Sequence, residues 1–155
     1  MSENEHRDWP RYFHVAPILL GEGSIIEPGN WGRILKLYRG NAVNSVLGRE
    51  YVLEQIRASE FPDKPSRLNC IFLLRTLREA VRYRDSESHL GLIYEVAVNT
   101  ANAEVHFGDY DFGGAVSVIQ FLEGMPEVAR KYWTEQPTNT VEILFPGPAV
   151  VVARH

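Results

Sequence analysis

The order of its apolar runs is what most limits the folds open to this chain. His14 is flanked by Tyr12, Phe13 and Val15, residues that favour a pleated backbone, and the chain then breaks at Gly21, Gly23, Pro28 and Gly29. In "WGRILKLYR" the residues Trp31, Ile34, Leu35 and Tyr38 recur at helical spacing, and "REYVLEQIRASEF" places Tyr51, Val52, Ile56 and Phe61 among charges in the same way. The run from Cys70 to Leu74 is apolar on both faces, as a buried strand is, while "TLREAVRYR" has the composition of an exposed helix. Leu92, Tyr94, Val96 and Val98 alternate with Ile93, Glu95 and Ala97, which predicts another strand. "AEVHFGDYDF" reads as a turn or short strand at a sheet edge. "AVSVIQFLEGMPEVARKYWTEQ" reads as one or two helices with a break at Gly124, Met125 and Pro126. "TVEILFPGPAVVVARH" supplies two short strands separated by Pro-Gly-Pro. An order of β, α, α, β, α, β, loop, α, β, β lacks the regular alternation of a doubly wound sheet. It predicts a mixed α+β protein, in which a cleft between sheet parts is a common place for a ligand.

At 155 residues the chain suits one domain, burying about 68–70% of the surface its unfolded form exposes. No internal repeat or long linker divides it, so the reading is a polar tail over 1–10 and a domain over 11–155. Apolar residues at 45% and charged residues at 23% are ordinary for a globular chain, and no 18-residue apolar run exists to span a bilayer. "MSENEHRDWPR" lacks the basic-then-apolar order of a secretory signal, so a cytoplasmic protein is expected, or an effector delivered without a cleaved signal. The lone Cys70 excludes a disulfide scaffold and multi-cysteine zinc sites. A net charge of −4 argues against broad nucleic-acid binding, although Arg67, Arg75, Arg78, Arg82 and Arg84 leave room for a local contact. Trp9, Tyr132 and Trp133 read as exposed aromatics, an interface or a cover over the core.

The chain has no GxGxxG after a strand, no GxxxxGK[ST], no GxSxG and no HExxH. His14, His89, His106, Glu104 and Asp109 are the side chains that could meet at a metal, but their spacing selects nothing, and no metal is expected. Cys70 sits among apolar neighbours that predict an inert, buried thiol. What stands out is a set of polar residues inside apolar strands: His14, Asn69, Glu95 and Glu142. A charge in such a strand is costly unless it is paired or faces a cleft.

The residues so placed resemble those of the ADP-ribosyltransferase superfamily. "YFHVAPILLGEGSIIEPG" is similar to its opening strand and turn, and "NCIFLLRTLREAV" to its second signature. "GLIYEVAV" resembles a strand of the small bacterial rifamycin-modifying branch, and "VEILFPGPAVVV" the glutamate-bearing strand of the DNA-modifying branch. The resemblance implies a split mixed β-sheet with flanking helices and a cleft that binds NAD as substrate. It implies that His14 bonds the ribose of the adenosine half, that Phe72 stacks on nicotinamide beside Asn69, and that Glu142 serves as the catalytic carboxylate. Glu104 is the alternative carboxylate. A planar arginine fork suits a pyrophosphate, with Arg67 first and Arg33 second. The sequence departs from the family at His-Val-Ala, where members read His-Gly-Thr, and at Phe72, where they carry tyrosine. The implied activity is transfer of ADP-ribose from NAD to a protein, nucleic acid or small molecule, as in a bacterial toxin, effector or modifying enzyme. Two alternatives stay open: a non-catalytic nucleotide-binding or interaction module, and an NAD hydrolase or RNA-end phosphotransferase.

Overall fold

Seven strands and four helices make up the computed structural model, which describes residues 6–41, 44–101 and 103–155. In chain order they are β1 (Arg11–Ala16), β2 (Ile25–Ile26), α1 (Asn30–Leu35), α2 (Ser45–Glu60), β3 (Ile71–Leu73), α3 (Leu77–Glu87), β4 (Leu92–Val98), β5 (His106–Asp109), α4 (Phe121–Thr134), β6 (Val141–Phe145) and β7 (Ala149–Arg154). A short 3-10 turn, Arg67–Asn69, precedes β3. The protein is a small α+β domain, as the order of runs predicts. None of the helices described is long and apolar enough to cross a membrane.

The strands form two sheets, β1-β4-β7-β2 and β3-β6-β5. Among the described residues backbone pairing joins them at one point, where Phe13 and Leu74 exchange two hydrogen bonds of 2.8 Å. The expected mixed sheet is not what forms, because every pairing among the described residues is antiparallel. A parallel pair needs a helix that returns the chain to the same sheet. Here α3 instead carries the chain from β3 in one sheet to β4 in the other. The Pro-Gly-Pro segment over 146–148 does the same for β6 and β7: proline has no N–H to give a ladder, so these neighbours part into different sheets.

The helices follow their local chemistry. Asn44 caps α2 by accepting from the Leu47 N–H at 2.8 Å, which starts that helix earlier than its apolar spacing suggests. Thr76 and Glu79 close a reciprocal capping box on α3. α1 stops at Leu35, since Leu37 and Tyr38 beyond it are exposed and have no core to pack on.

The expected break at Gly124, Met125 and Pro126 is absent, and α4 runs through all three. An interior proline costs about 3 kcal/mol. Against that, Met125, Val128, Ala129, Tyr132 and Trp133 form one buried stripe, and each large apolar side chain so buried contributes about 1.5–3 kcal/mol. Gly124 is there for close packing, since a Cβ would stand 2.8 Å from Ile119. Tyr132 and Trp133 are therefore core residues, which corrects their reading as exposed aromatics. The Trp133 indole donates to the Leu53 carbonyl at 3.0 Å and locks α4 to α2.

Candidate functional site

Where β1 and β3 diverge from the Phe13–Leu74 contact, a cavity of about 540 Å³ opens between the sheets. β1 and β3 form its floor, the glycine-rich strap over 17–28 and α1 form its rim, and Tyr83 of α3 and Glu142 of β6 reach into its wall. The strap is held near its start and at its middle. The Tyr94 hydroxyl donates to the Ile18 carbonyl at 2.7 Å and accepts from the Leu20 N–H at 3.0 Å, while Gly23 and Ser24 bond the backbone of Val151.

His14 lies on the floor. Its Nδ1 is 2.9 Å from the Phe72 carbonyl, and since a carbonyl only accepts, Nδ1 carries the proton. Burial lowers the imidazole pKa from its ordinary 6.5, with the carbonyl bond opposing. The ring is therefore neutral at pH 7, and its Nε2 presents a lone pair with no protein partner among the described residues.

Glu142 is 4% exposed and stands in an ionic cluster that the sequence does not announce. Its Oε1 accepts from Arg67 Nη1 and, at 2.7 Å, from the Tyr132 hydroxyl. Its Oε2 accepts from nothing among the described residues, and Glu142 borders the cleft. Arg67 is 5% exposed and gives its other edge to Glu50, Nε to Oε2 at 2.8 Å and Nη2 to Oε1 at 3.1 Å. Its guanidinium lies over Phe72 at 4.8 Å and over Tyr132 at 5.0 Å.

Burial alone lowers the affinity of Arg67 for its proton, but the charges of Glu142 and Glu50 raise its pKa well above the ordinary value. Burial likewise pushes Glu50 up, and the charges of Arg67 and then Arg49 draw it below its usual range. Tyr132 is held protonated, its pKa raised by burial against the pull of Arg67. Tyr83 is pushed up to about 12 by burial and by the charge of Glu142.

The structure thus brings His14, Phe72 and Glu142 together, with Arg33 exposed on the rim. It does not bring in the others. Arg67, expected at a pyrophosphate, is sealed beneath Phe72 with both edges committed to carboxylates. Asn69 is exposed and outside the cleft wall, and Glu104 is exposed on the connection between β4 and β5. Glu95 pairs with the C-terminal His155 at 3.3 Å. His14, His89, His106, Glu104 and Asp109 do not converge, and no three His, Cys, Asp or Glu among the described residues are placed to hold a metal ion. Cys70 borders the cleft, but burial pushes its thiol up to about 12, which keeps it protonated and inert.

Sequence reasoning missed Tyr83, Glu50 and Tyr132. Glu50 carried a signal, since a glutamate one turn before the fully buried Leu53 needs a cationic partner.

The family model described as "Protein of unknown function (DUF2441)" matches residues 23–154. No curated protein matches the chain.

Proposed function

The chain belongs to the DUF2441 family, and from the geometry of its cleft we propose that it binds NAD and transfers the ADP-ribose part to an acceptor. The observation that carries this reading is the half-occupied carboxylate of Glu142: Oε1 is tied down by Arg67 and Tyr132, and Oε2 is left without a protein partner beside the cleft. A cavity of about 540 Å³ falls within the range of small-molecule and cofactor sites. The neutral His14 supplies an acceptor at Nε2, and Arg33 supplies a guanidinium for an anionic group.

When NAD is bound, the bond from ribose to nicotinamide breaks with its electron pair leaving on nicotinamide, positive charge develops on the sugar, and a nucleophilic atom of the acceptor bonds the same ribose carbon and releases its proton to solvent. Glu142 serves that charge in two ways. Its Oε2 accepts a hydrogen bond from a ribose hydroxyl, and its fixed negative charge stabilises the transition state more than the ground state. Of the buried residues Glu50, Arg67 and Glu142, Glu142 is the one that borders the cleft, so the charge a ligand meets there is its carboxylate. Behind it Arg49 bonds Glu50 at 3.2 Å, so Glu50 has a cation of its own besides Arg67. His14 orients the ligand by accepting at Nε2, and Phe72, whose ring lies under the Arg67 guanidinium, borders the cleft beside it. Arg33 takes the phosphates in place of the sequestered Arg67.

A second reading, binding without turnover, is favoured by that sequestration, which leaves Arg33 as the one arginine bordering the cleft among the described residues. One experiment separates the two. NAD is titrated by calorimetry and free nicotinamide is followed by chromatography, for the wild type and for Glu142→Gln, whose amide oxygen still accepts from Arg67 and Tyr132. Binding by both with release only from the wild type supports transfer. Binding without release supports the second reading, and no binding removes both.

A further inference from the structure

The clamp on Glu142 comes from outside the cleft. Tyr132 belongs to α4, a helix with no residue on the cleft wall, and it is 4% exposed. Its hydroxyl accepts from Arg67 Nη1 at 2.6 Å and donates to Glu142 Oε1 at 2.7 Å, while the same Nη1 donates to the same Oε1. Phenol, guanidinium and carboxylate oxygen therefore close a ring of three hydrogen bonds. Arg67 cannot swing out of it, because its opposite edge is held bidentately by Glu50 and its faces lie against Phe72 and Tyr132. Nor can the phenol retreat without repacking, since it fills the space that a Cβ on Gly108 would need.

The terminal torsion of a glutamate is broad and roughly two-fold, so one donor on Oε1 leaves the carboxylate plane free to turn. Two donors from different directions on one oxygen fix the plane and thereby the direction of Oε2. We propose that Tyr132 is a positioning residue, which with Arg67 fixes the Glu142 carboxylate so that Oε2 faces the ligand. This inference rests on the ADP-ribosyl transfer reading and deepens it: α4 sets the geometry of the charge-stabilising group without touching the substrate.

Tyr132→Phe removes the hydroxyl and keeps the ring that packs on Gly108 and Trp133. The expected result is a fall of about 30-fold in kcat for nicotinamide release with KM for NAD within about twofold of wild type, the pattern of an interaction realised in the transition state. A merely structural hydroxyl lowers the midpoint of thermal unfolding and leaves kcat of the folded protein unchanged. That outcome overturns the inference while the transfer reading stands. If the wild type neither binds nor cleaves NAD, the transfer reading falls, and a stability cycle between Tyr132→Phe and Glu142→Gln decides the clamp. A coupling of about tenfold in the unfolding equilibrium supports it, and additivity overturns it.

Discussion

His14 donates through Nδ1–H to the main-chain carbonyl of Phe72 at 2.9 Å, and this bond ties the first sheet to the second at the base of the cleft. The same bond dictates the tautomer, so the nitrogen left facing outward is an acceptor. A fold contact and a recognition property thus reside in one ring.

Stability is expected to fall as pH drops below 6.5. Folded His14 and His106 both have depressed pKa values, His106 at about 4 through burial, so the unfolded chain binds more protons in that window. Their contribution is complete above 6.5 and is lost as pH falls toward 4. Glu50, also depressed, adds a loss of the same sign below about 4.5. Thermal midpoints measured from pH 4 to 8 check this, and His106→Asn flattens the upper part of the curve.

Arg67→Met removes the one cation between Glu50 and Glu142 and leaves two buried carboxylates facing each other. Breaking a buried ion cluster in this way costs about 3–5 kcal/mol. Urea unfolding is the measurement, with Arg130→Met as comparison. Arg130 pairs with Glu60 at the exposed surface, where solvent screens the two charges, so its replacement shifts the urea midpoint far less.

Gly108→Ala is expected to destabilise by about 1–3 kcal/mol, the usual penalty for overpacking. The added Cβ collides with the Tyr132 ring, and the β5–β6 ladder prevents the backbone from moving aside. Gly40→Ala meets nothing within 4 Å and leaves the unfolding midpoint unchanged in the same assay.

Cys70 is expected to resist a disulfide reagent at pH 8 in the native protein and to react at once in denaturant. It is 2% exposed and its thiol is held protonated. Absorbance of the released thiolate follows both reactions, and fast labelling of the folded protein contradicts the prediction.

Glu104→Gln is expected to leave NAD binding and nicotinamide release as in the wild type, because Glu104 is exposed outside the cleft. A loss of release in this variant overturns the choice of Glu142 as the carboxylate. The calorimetric and chromatographic assays are the same as for Glu142→Gln.

The sequence by itself determined the elements and the class. Alternation over Leu92–Val98, helical spacing in α2 and the helix-forming composition of α3 are properties of neighbouring residues, and each is where local chemistry puts it. His14 and Glu142 stood out in the sequence for a similar reason, since a polar side chain in a buried strand must find a partner or a cleft, whereas Phe72 entered only through the family resemblance. Local patterns say which face of an element is buried, not what it is buried against. Only the tertiary structure decided that the strands part into two antiparallel sheets, that α4 runs through Pro126, and that Tyr132 is core. It alone decided that Arg67 meets Glu142, 75 residues away, and Glu50, 17 residues away, instead of facing a ligand. A buried guanidinium needs anionic partners wherever the fold can supply them, and α2 and β6 supply them here in place of a ligand.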